Sequence, residues 1–262
     1  MTASQSWRAQ LAEWAIPAHI SQAVADSPWE VPAAAMIRRV DTQPGGPVGP
    51  SLTRTAEALD PPGTVLDVGA GAGAGSLPVA NHITELVAVD EHEALLGALT
   101  ERAAARGLRV RTVIGRWPDV EASVATVDVV VCHHVFYNVP DLAEFASALD
   151  SHARRRVVVE LTELHPTAVL NRYWQRLHGL DRPDGPTATD AIAVLHEAGL
   201  APQVERWSRK RTPLAEHFDE HVAITGRMLC LPAHRRDELV ALVEEFGMDD
   251  TRDVVTLWWD KH

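Results

Sequence analysis

A short apolar run that opens into alternating glycines constrains this chain more than any other stretch. The run Thr64-Val65-Leu66-Asp67-Val68 is rich in β-branched residues, and glycines follow at positions 69, 71, 73 and 75. The run predicts a buried strand, and the glycines predict a tight loop that tolerates positive φ and the close approach of a ligand. We expect a helix to start between Ser76 and Ala80 and to turn its free N–H groups toward the loop. The pattern is typical of a nucleotide-binding turn.

Asp67 distinguishes between two classes of nucleotide ligand. Residues 69–74 also satisfy the G-x-G-x-x-G/A pattern of dinucleotide-binding folds. A carboxylate two residues before the first glycine repels a pyrophosphate, whereas it attracts an ammonium or sulfonium group. The sequence therefore favours a cationic nucleoside ligand. A dinucleotide-dependent oxidoreductase is the less favoured alternative.

Two stretches resemble motifs of the class I S-adenosylmethionine-dependent methyltransferases of the small-molecule type. Asp67-Val68-Gly69-Ala70-Gly71-Ala72-Gly73 is similar to their D/E-x-G-x-G-x-G first motif, and Val87-Ala88-Val89-Asp90 is similar to their second strand with its ribose-binding acid. Asp90 follows the loop by about 20 residues, as one helix and one strand require. The alternative role for Asp90 is to cap the helix that follows it.

The resemblance implies S-adenosylmethionine as the cofactor and a set of residues that contact it. These residues are Asp67, Gly69, Ala70, Gly71, Gly73, Asp90, Glu91, Gly115, Arg116, Trp117 and His133. The turn Gly115-Arg116-Trp117-Pro118-Asp119 departs from the family pattern, which has an acid near the adenine amine where this chain has Arg116. Trp117 stacking on the adenine, or Asp119 reaching back to it, are the candidate replacements. The alternative for Trp117 is packing on a neighbouring helix.

The predicted elements alternate between helices and strands, which predicts a doubly wound α/β fold. Two apolar runs, Val127-Asp128-Val129-Val130-Val131-Cys132 and Val157-Val158-Val159-Glu160-Leu161, are typical of parallel strands buried on both faces. The resemblance implies that a last strand, over residues 253–260, enters antiparallel and completes a seven-stranded mixed sheet of the Rossmann-like methyltransferase fold. We expect residues 1–50 to form an N-terminal helical cap and connector, and residues 51–262 to form one compact cofactor-binding domain.

The loop after the fourth predicted strand holds the candidate catalytic residues, because ligands of such folds bind at the carboxyl ends of the strands. It resembles the His-His-Val-Pro-Asp-Leu type of loop in methyltransferases that act on small molecules, with Phe136-Tyr137-Asn138 inserted. We expect the inserted residues to give the substrate an apolar wall with polar tips. If the acceptor must lose a proton, His134 is the first candidate base and Glu163 or His165 the second. The alternative for each of these three residues is a structural role, in which its side chain only hydrogen-bonds to neighbouring groups.

Composition narrows the classes of partner. The chain has 36 acidic and 24 basic residues and a net charge of -12, so a nucleic-acid substrate is disfavoured. Its two cysteines, Cys132 and Cys230, give neither a disulfide framework nor a zinc-binding spacing, and they fit a reducing cytosol. The candidate histidines lack an H-x-x-x-H spacing, so no metal is expected.

The N-terminal residues 1–20 lack a continuous apolar core, so neither a signal peptide nor a membrane span is expected.

Taken together, these patterns predict a cytoplasmic enzyme that transfers a methyl group from S-adenosylmethionine to an oxygen or nitrogen of a small molecule by in-line displacement. Such a reaction mainly requires aligned reactants and the exclusion of water. A non-catalytic S-adenosylmethionine-binding or regulatory protein is the alternative that stays open.

Overall fold

Seven strands form one mixed sheet in the computed structural model, which describes residues 1–22, 24, 28, 32–41, 49–211, 215, 217–247 and 251–261. The strands are β1 (Gly63–Val68), β2 (Ile83–Asp90), β3 (Val110–Ile114), β4 (Val127–His133), β5 (Ala153–Thr162), β6 (Gln203–Lys210) and β7 (Thr251–Asp260). Their order across the sheet is β3-β2-β1-β4-β5-β7-β6. Strands β1 to β5 pair in parallel, and β7 lies antiparallel between β5 and β6. The predicted seven-stranded mixed sheet is confirmed.

The central strands are buried on both faces because their side chains alternate between two apolar clusters. In β1, Leu66 packs into one cluster and Val65 into the other. In β4, Val130 packs into the same cluster as Leu66, and Val129 packs into the same cluster as Val65. The near-continuous apolar runs of the sequence therefore supply the cores on both sides of the sheet.

Helices cover both faces of the sheet. They are α1 (Ala3–Ala12), α2 (Ala18–Ser21), α3 (Ala33–Asp41), α4 (Pro50–Ala58), α5 (Glu93–Ala104), α6 (Leu142–His152), α7 (Asn171–His178), α8 (Ala188–Glu197), α9 (Phe218–Met228) and α10 (Arg236–Phe246). Residues of α6 and α8 pack into one cluster, and residues of α4 and α5 pack into the other. Helices α7, α9 and α10 form a third apolar cluster with α2.

The segment after the glycine loop differs from the predicted helix. It is a short 3-10 helix over Leu77–His82, and Val79 inside it has non-helical angles. Strand β2 begins at once after it, so the segment is too short for two α-helical turns, and Pro78 removes one backbone donor. Most of the connector predicted between Asp41 and Pro50 lies outside the described residues.

Trp7 on α1 joins the N-terminal region to the main core. Its side chain is fully buried in the same cluster as the central strands. Its indole N–H donates to the carbonyl oxygen of Val139 at 2.8 Å, and its ring stacks on Tyr137 with the centroids 5.6 Å apart. Helix α1 is therefore part of the core that supports the loop after β4.

Trp7→Ala should lower the free energy of unfolding by about 3–5 kcal/mol, because it opens a large cavity and removes the hydrogen bond to Val139. Urea unfolding followed by circular dichroism measures the change. Leu164→Ala is the control, since Leu164 is 50% exposed, and it should change the stability by no more than about 0.5 kcal/mol. Equal effects of the two substitutions would contradict the anchoring role of Trp7.

Candidate functional site

A cavity of about 610 Å³ opens at the carboxyl edge of the parallel strands. It lies where the strand order reverses between β1 and β4, the usual ligand position in doubly wound sheets. Its volume is within the roughly 300–1,000 Å³ of small-molecule sites. Helix α3 closes one side through Met36 and Val40. All the predicted cofactor residues except Gly73 line this cavity.

The glycines of the loop have different roles. Gly69, Gly71 and Gly73 all have positive φ, at 70°, 51° and 95°. A Cβ at Gly69 would collide with Val135, and one at Gly73 would lie 2.6 Å from a methyl carbon of Leu77. A Cβ at Gly71 would meet no atom within 4 Å. Packing thus requires the outer two glycines, whereas the backbone of Gly71 borders the open space of the cavity.

Asp90, at the end of β2, holds the loop in place. Its Oδ2 accepts a hydrogen bond from the backbone N–H of Gly71 at 2.8 Å, and its Oδ1 accepts one from the backbone N–H of His92 at 2.9 Å. Asp90 therefore holds the glycine loop rather than capping α5, whose N-cap residue is His92. A carboxylate has about four acceptor sites, so lone pairs remain for a ligand. Removing Asp90 would disturb the loop as well as any ligand contact.

Asp67 is a buried carboxylate with unmet hydrogen-bonding capacity. It is 1% exposed, and its Oδ2 has no hydrogen-bond partner among the described residues. Burial and the charge of Asp90 raise the pKa of Asp67 to about 7, although the nearby Ser76 hydroxyl opposes this rise. An unpaired buried carboxylate is costly to a fold. A positively charged donor on a ligand would supply the hydrogen-bond partner that Asp67 Oδ2 lacks among the described residues.

His134, Glu160 and Arg209 form a charged cluster in the cavity wall. His134 Nε2 lies 2.9 Å from Glu160 Oε1, and an Arg209 Nη2 lies 3.1 Å from the same oxygen. Burial alone would raise the pKa of Glu160, but the hydrogen bond from His134 and the neighbouring positive charges hold this pKa well below its usual range. Arg209 Nη2, which can only donate, also lies 3.0 Å from His134 Nε2, so this nitrogen contacts both a donor and an acceptor, while His134 Nδ1 is buried. His134 also has a left-handed backbone, with a φ of 62°.

His133 is the last residue of β4 and lines the cavity beside the glycine loop. Its Nε2 is buried without a hydrogen-bond partner among the described residues, and burial lowers the pKa of the ring to about 4. A Cβ at Gly75 would lie 3.2 Å from His133 Nδ1, so glycine leaves room for the ring. His133 is therefore neutral at physiological pH.

The turn after β3 contributes Gly115, Arg116 and Trp117 to the cavity wall. Trp117 is 4% exposed and meets the ring of His152 on α6 edge to face, with the centroids 4.8 Å apart. The packing alternative for Trp117 is thus present, although the residue also lines the cavity. Asp119 is exposed and is not among the residues that line the cavity.

Two of the predicted catalytic residues do not line the cavity, contrary to expectation. Glu163 forms an ion pair with Arg206 at 2.9 Å on the outer side of the sheet end. His165 stacks on Trp14 with the centroids 3.9 Å apart, and burial lowers its pKa to about 4. The chain turns away from the cavity after β5, and the N-terminal helices cover the following residues.

The inserted residues of the β4 loop also differ from expectation. Phe136 and Tyr137 are buried in the main core and do not line the cavity, and only Asn138 does. Phe136 packs edge-on against Phe145 of α6, and the Tyr137 hydroxyl donates to the carbonyl oxygen of Thr162 at 2.8 Å. Because the core takes up both rings, they anchor the loop rather than form a substrate wall.

Residues of β6 line the cavity although the sequence did not assign them to it. They are Trp207, Arg209 and Lys210, followed by Arg211. The sequence does show a basic end on this predicted strand. Only the strand order reveals that this end lies at the cavity. Because β6 is parallel to β5, its carboxyl end reaches the same edge of the sheet as the glycine loop.

Among the described residues, no group of three or more His, Cys, Asp or Glu side chains is arranged to hold a metal ion. Within the same residues, no helix is long and apolar enough to cross a membrane.

Comparisons with known proteins agree on the fold. Residues 65–155 match a family model described as a methyltransferase domain. The structure resembles the YcgJ protein from Bacillus subtilis, with 16% identity, a TM-score of 0.55, and coverage of 81% of this chain and 98% of that chain. It also resembles a SAM-dependent methyltransferase from Geobacter sulfurreducens in complex with S-adenosyl-L-homocysteine, with 16% identity, a TM-score of 0.53, and coverage of 87% and 98%. No curated protein sequence matches the chain.

The sheet order and the glycine loop at the switch point define the fold. The chain has the Rossmann-like methyltransferase fold, and its residues 65–155 match the methyltransferase-domain model.

Asp67→Asn should stabilise the unliganded protein at neutral and alkaline pH. The folded-state pKa of Asp67 is about 7, whereas that of an unfolded aspartate is about 3.9, so stability is lost as the pH rises from about 4 to about 7. At about pH 8 the variant should gain roughly 2–4 kcal/mol in free energy of unfolding, measured by urea titration. Asp119→Asn, at an exposed carboxylate, should keep the pH dependence of the parent protein. The same pH dependence in Asp67→Asn would contradict the assignment.

Proposed function

We propose that this chain transfers the methyl group of S-adenosylmethionine to an oxygen or nitrogen atom of a small molecule. One observation carries the proposal. A single cavity joins an open glycine backbone and an unpartnered buried carboxylate, Asp67, to a histidine held by an ionised glutamate, His134 with Glu160. The first pair of features suits a cationic nucleoside, and the second pair suits an acceptor that must lose a proton.

The cofactor would be held by residues of β1, β2 and the loop between them. Asp67 would accept from the ammonium group, which would give its buried oxygen the partner that the described residues do not supply. Asp90 and Glu91 would accept from the ribose hydroxyls, and Gly71 would admit the ligand close to the backbone. Bound S-adenosylmethionine supplies a methyl carbon that its sulfonium already activates for in-line displacement.

On the acceptor side, we propose His134 as the general base. Its imidazole would take the proton of an acceptor hydroxyl or protonated nitrogen. Glu160 would stabilise the positive ring that results, and Arg209 keeps Glu160 ionised. Residues of α3, including Met36 and Val40, would exclude water from the reacting atoms. In this proposal residues 51–262 form the catalytic domain, and the N-terminal segment completes its cavity.

Gly71→Ala should weaken S-adenosylhomocysteine binding by about 10- to 100-fold, because the added methyl group projects into the space that the ligand needs. Gly107→Ala is a matched control. Gly107 also has a positive φ, 69°, and open space around a Cβ, but it is not among the residues that line the cavity. Calorimetric titration measures S-adenosylhomocysteine affinity in both variants. Because both substitutions strain the backbone, only a loss confined to Gly71→Ala reports a clash with the ligand. An equal loss of affinity in both would count against binding at this loop.

Turnover should be tested by incubating the protein and S-adenosylmethionine with a panel of phenols, carboxylic acids and amines, and by following S-adenosylhomocysteine. Tight cofactor binding without turnover on any acceptor would favour the non-catalytic alternative. With an accepted substrate, His134→Ala should lower turnover by roughly 10²–10⁴-fold and leave S-adenosylhomocysteine affinity little changed. His196→Ala, at an exposed histidine of α8, is the control.

Glu160→Gln tests whether His134 acts as a base whose positive form is stabilised by the charge of Glu160, or has only a structural role. Loss of the negative charge makes the protonated ring less favourable, so the acid limb of the kcat/KM profile should move to lower pH while the maximal rate falls. A uniform loss of rate with an unmoved pH profile would contradict the proposed pairing.

A further inference from the structure

The two ends of the cavity carry opposite charge. Asp67, Asp90 and Glu91 lie at the β1 and β2 end, whereas Arg209, Lys210 and Arg211 lie at the β6 end. The basic end is notable because the whole chain carries a net charge of -12. The acidic end suits the cationic cofactor, so the basic end faces the space left for the acceptor.

The positive charges of the basic end are only partly neutralised. Arg209 is paired with Glu160 at 3.1 Å. The guanidinium of Arg211 donates to a backbone carbonyl, that of Thr251, at 3.1 Å. Among the described residues, no carboxylate lies within ion-pair distance of Lys210 or Arg211, and the hydrogen bonds of their side chains are limited to the Arg211 bond to Thr251. Within this part of the chain, two positive charges without a carboxylate partner therefore border the cavity.

The path of β6 explains how these charges reach the cavity. Trp207 pairs with Val254 of β7, which in turn pairs with Thr162, the last residue of β5. Residues 208–210 continue the strand beyond that level, which adds about 10 Å at roughly 3.3 Å per residue. The end of β6 thus stands above the sheet edge as a wall of the cavity.

An apolar surface lies beside the basic groups. Trp207, Leu52 and Met36 all line the cavity. The indole N–H of Trp207 donates to Thr256 Oγ1 at 3.1 Å, and Gly49 packs so closely on its ring that a Cβ there would collide with it. The indole is therefore held in place, and it can pack against a flat apolar group.

We infer that the acceptor is a small organic anion, with an apolar or aromatic body against Trp207 and a carboxylate or phosphate group bound by Lys210 and Arg211. The inference rests on the proposed methyl transfer and specifies the substrate class of the same cavity. Arg recognises both anions through its planar fork, and Lys binds either as a point charge, so the two anions share one chemistry.

The test is calorimetric titration of the S-adenosylhomocysteine-loaded protein with benzoate, phenyl phosphate and the neutral probe benzamide. At least one of the two anions should bind about 10-fold or more tightly than benzamide, and its affinity should fall as salt is added. The stronger anion identifies the group that the site prefers. The double variant Lys210→Gln/Arg211→Gln should reduce anion affinity to the level of benzamide and leave S-adenosylhomocysteine affinity unchanged.

Arg109→Gln is the matched control, because Arg109 is exposed just before β3, at the opposite edge of the sheet. It should leave the affinity for all three probes unchanged. Equal binding of benzamide and the anions, or undiminished anion binding in the double variant, would overturn the inference. A parent protein that does not bind S-adenosylhomocysteine would instead overturn the proposed function, so the two failures are distinguishable.

Discussion

The buried carboxylate of Asp67 is the constraint on which the site depends. It lies at the carboxyl end of the central strand β1, beneath the glycine loop, with one oxygen unpartnered among the described residues. Burial that raises the pKa of Asp67 to about 7 also makes its ionised form unfavourable in the folded protein. The surrounding core tolerates this cost, and in the proposed function a bound cation would relieve it. Strain of this kind is expected at a functional site rather than in a structural core.

The neighbouring groups maintain this arrangement. Asp90 fixes the loop by accepting from the Gly71 backbone, and Gly75 leaves room for the neutral ring of His133 beside Asp67. On β5, next to β4, the Oε1 atom of a second buried carboxylate, Glu160, contacts both His134 and Arg209. Of the two buried carboxylates in the cavity, Asp67 has an oxygen without a partner among the described residues, and Glu160 positions a histidine. Two acids in different environments can serve different roles.

The strands and the glycine loop could be predicted because periodicity and glycine spacing are local signals, whereas the antiparallel entry of the last strand was implied by the family resemblance. Placement of Glu163, His165 and Phe136 failed for a different reason. Whether a residue just past a strand end faces a cavity or the core depends on the direction in which the chain leaves the sheet. His165 follows the chain toward Trp14, and Phe136 turns into the core of α6. The role of the β6 residues required the strand order, which links Arg209 to Glu160 across β7.

Proton exchange on ligand binding tests the central claim most directly. At about pH 6 Asp67 is mostly protonated, and an ammonium group bound beside it favours the ionised form, so binding should release up to about one proton. Calorimetric titration of S-adenosylhomocysteine in two buffers of different ionisation enthalpy measures this release. The account predicts that the release disappears at about pH 8.5 and in Asp67→Asn. Binding at about pH 6 without proton release, or with equal release in Asp67→Asn, would contradict the account.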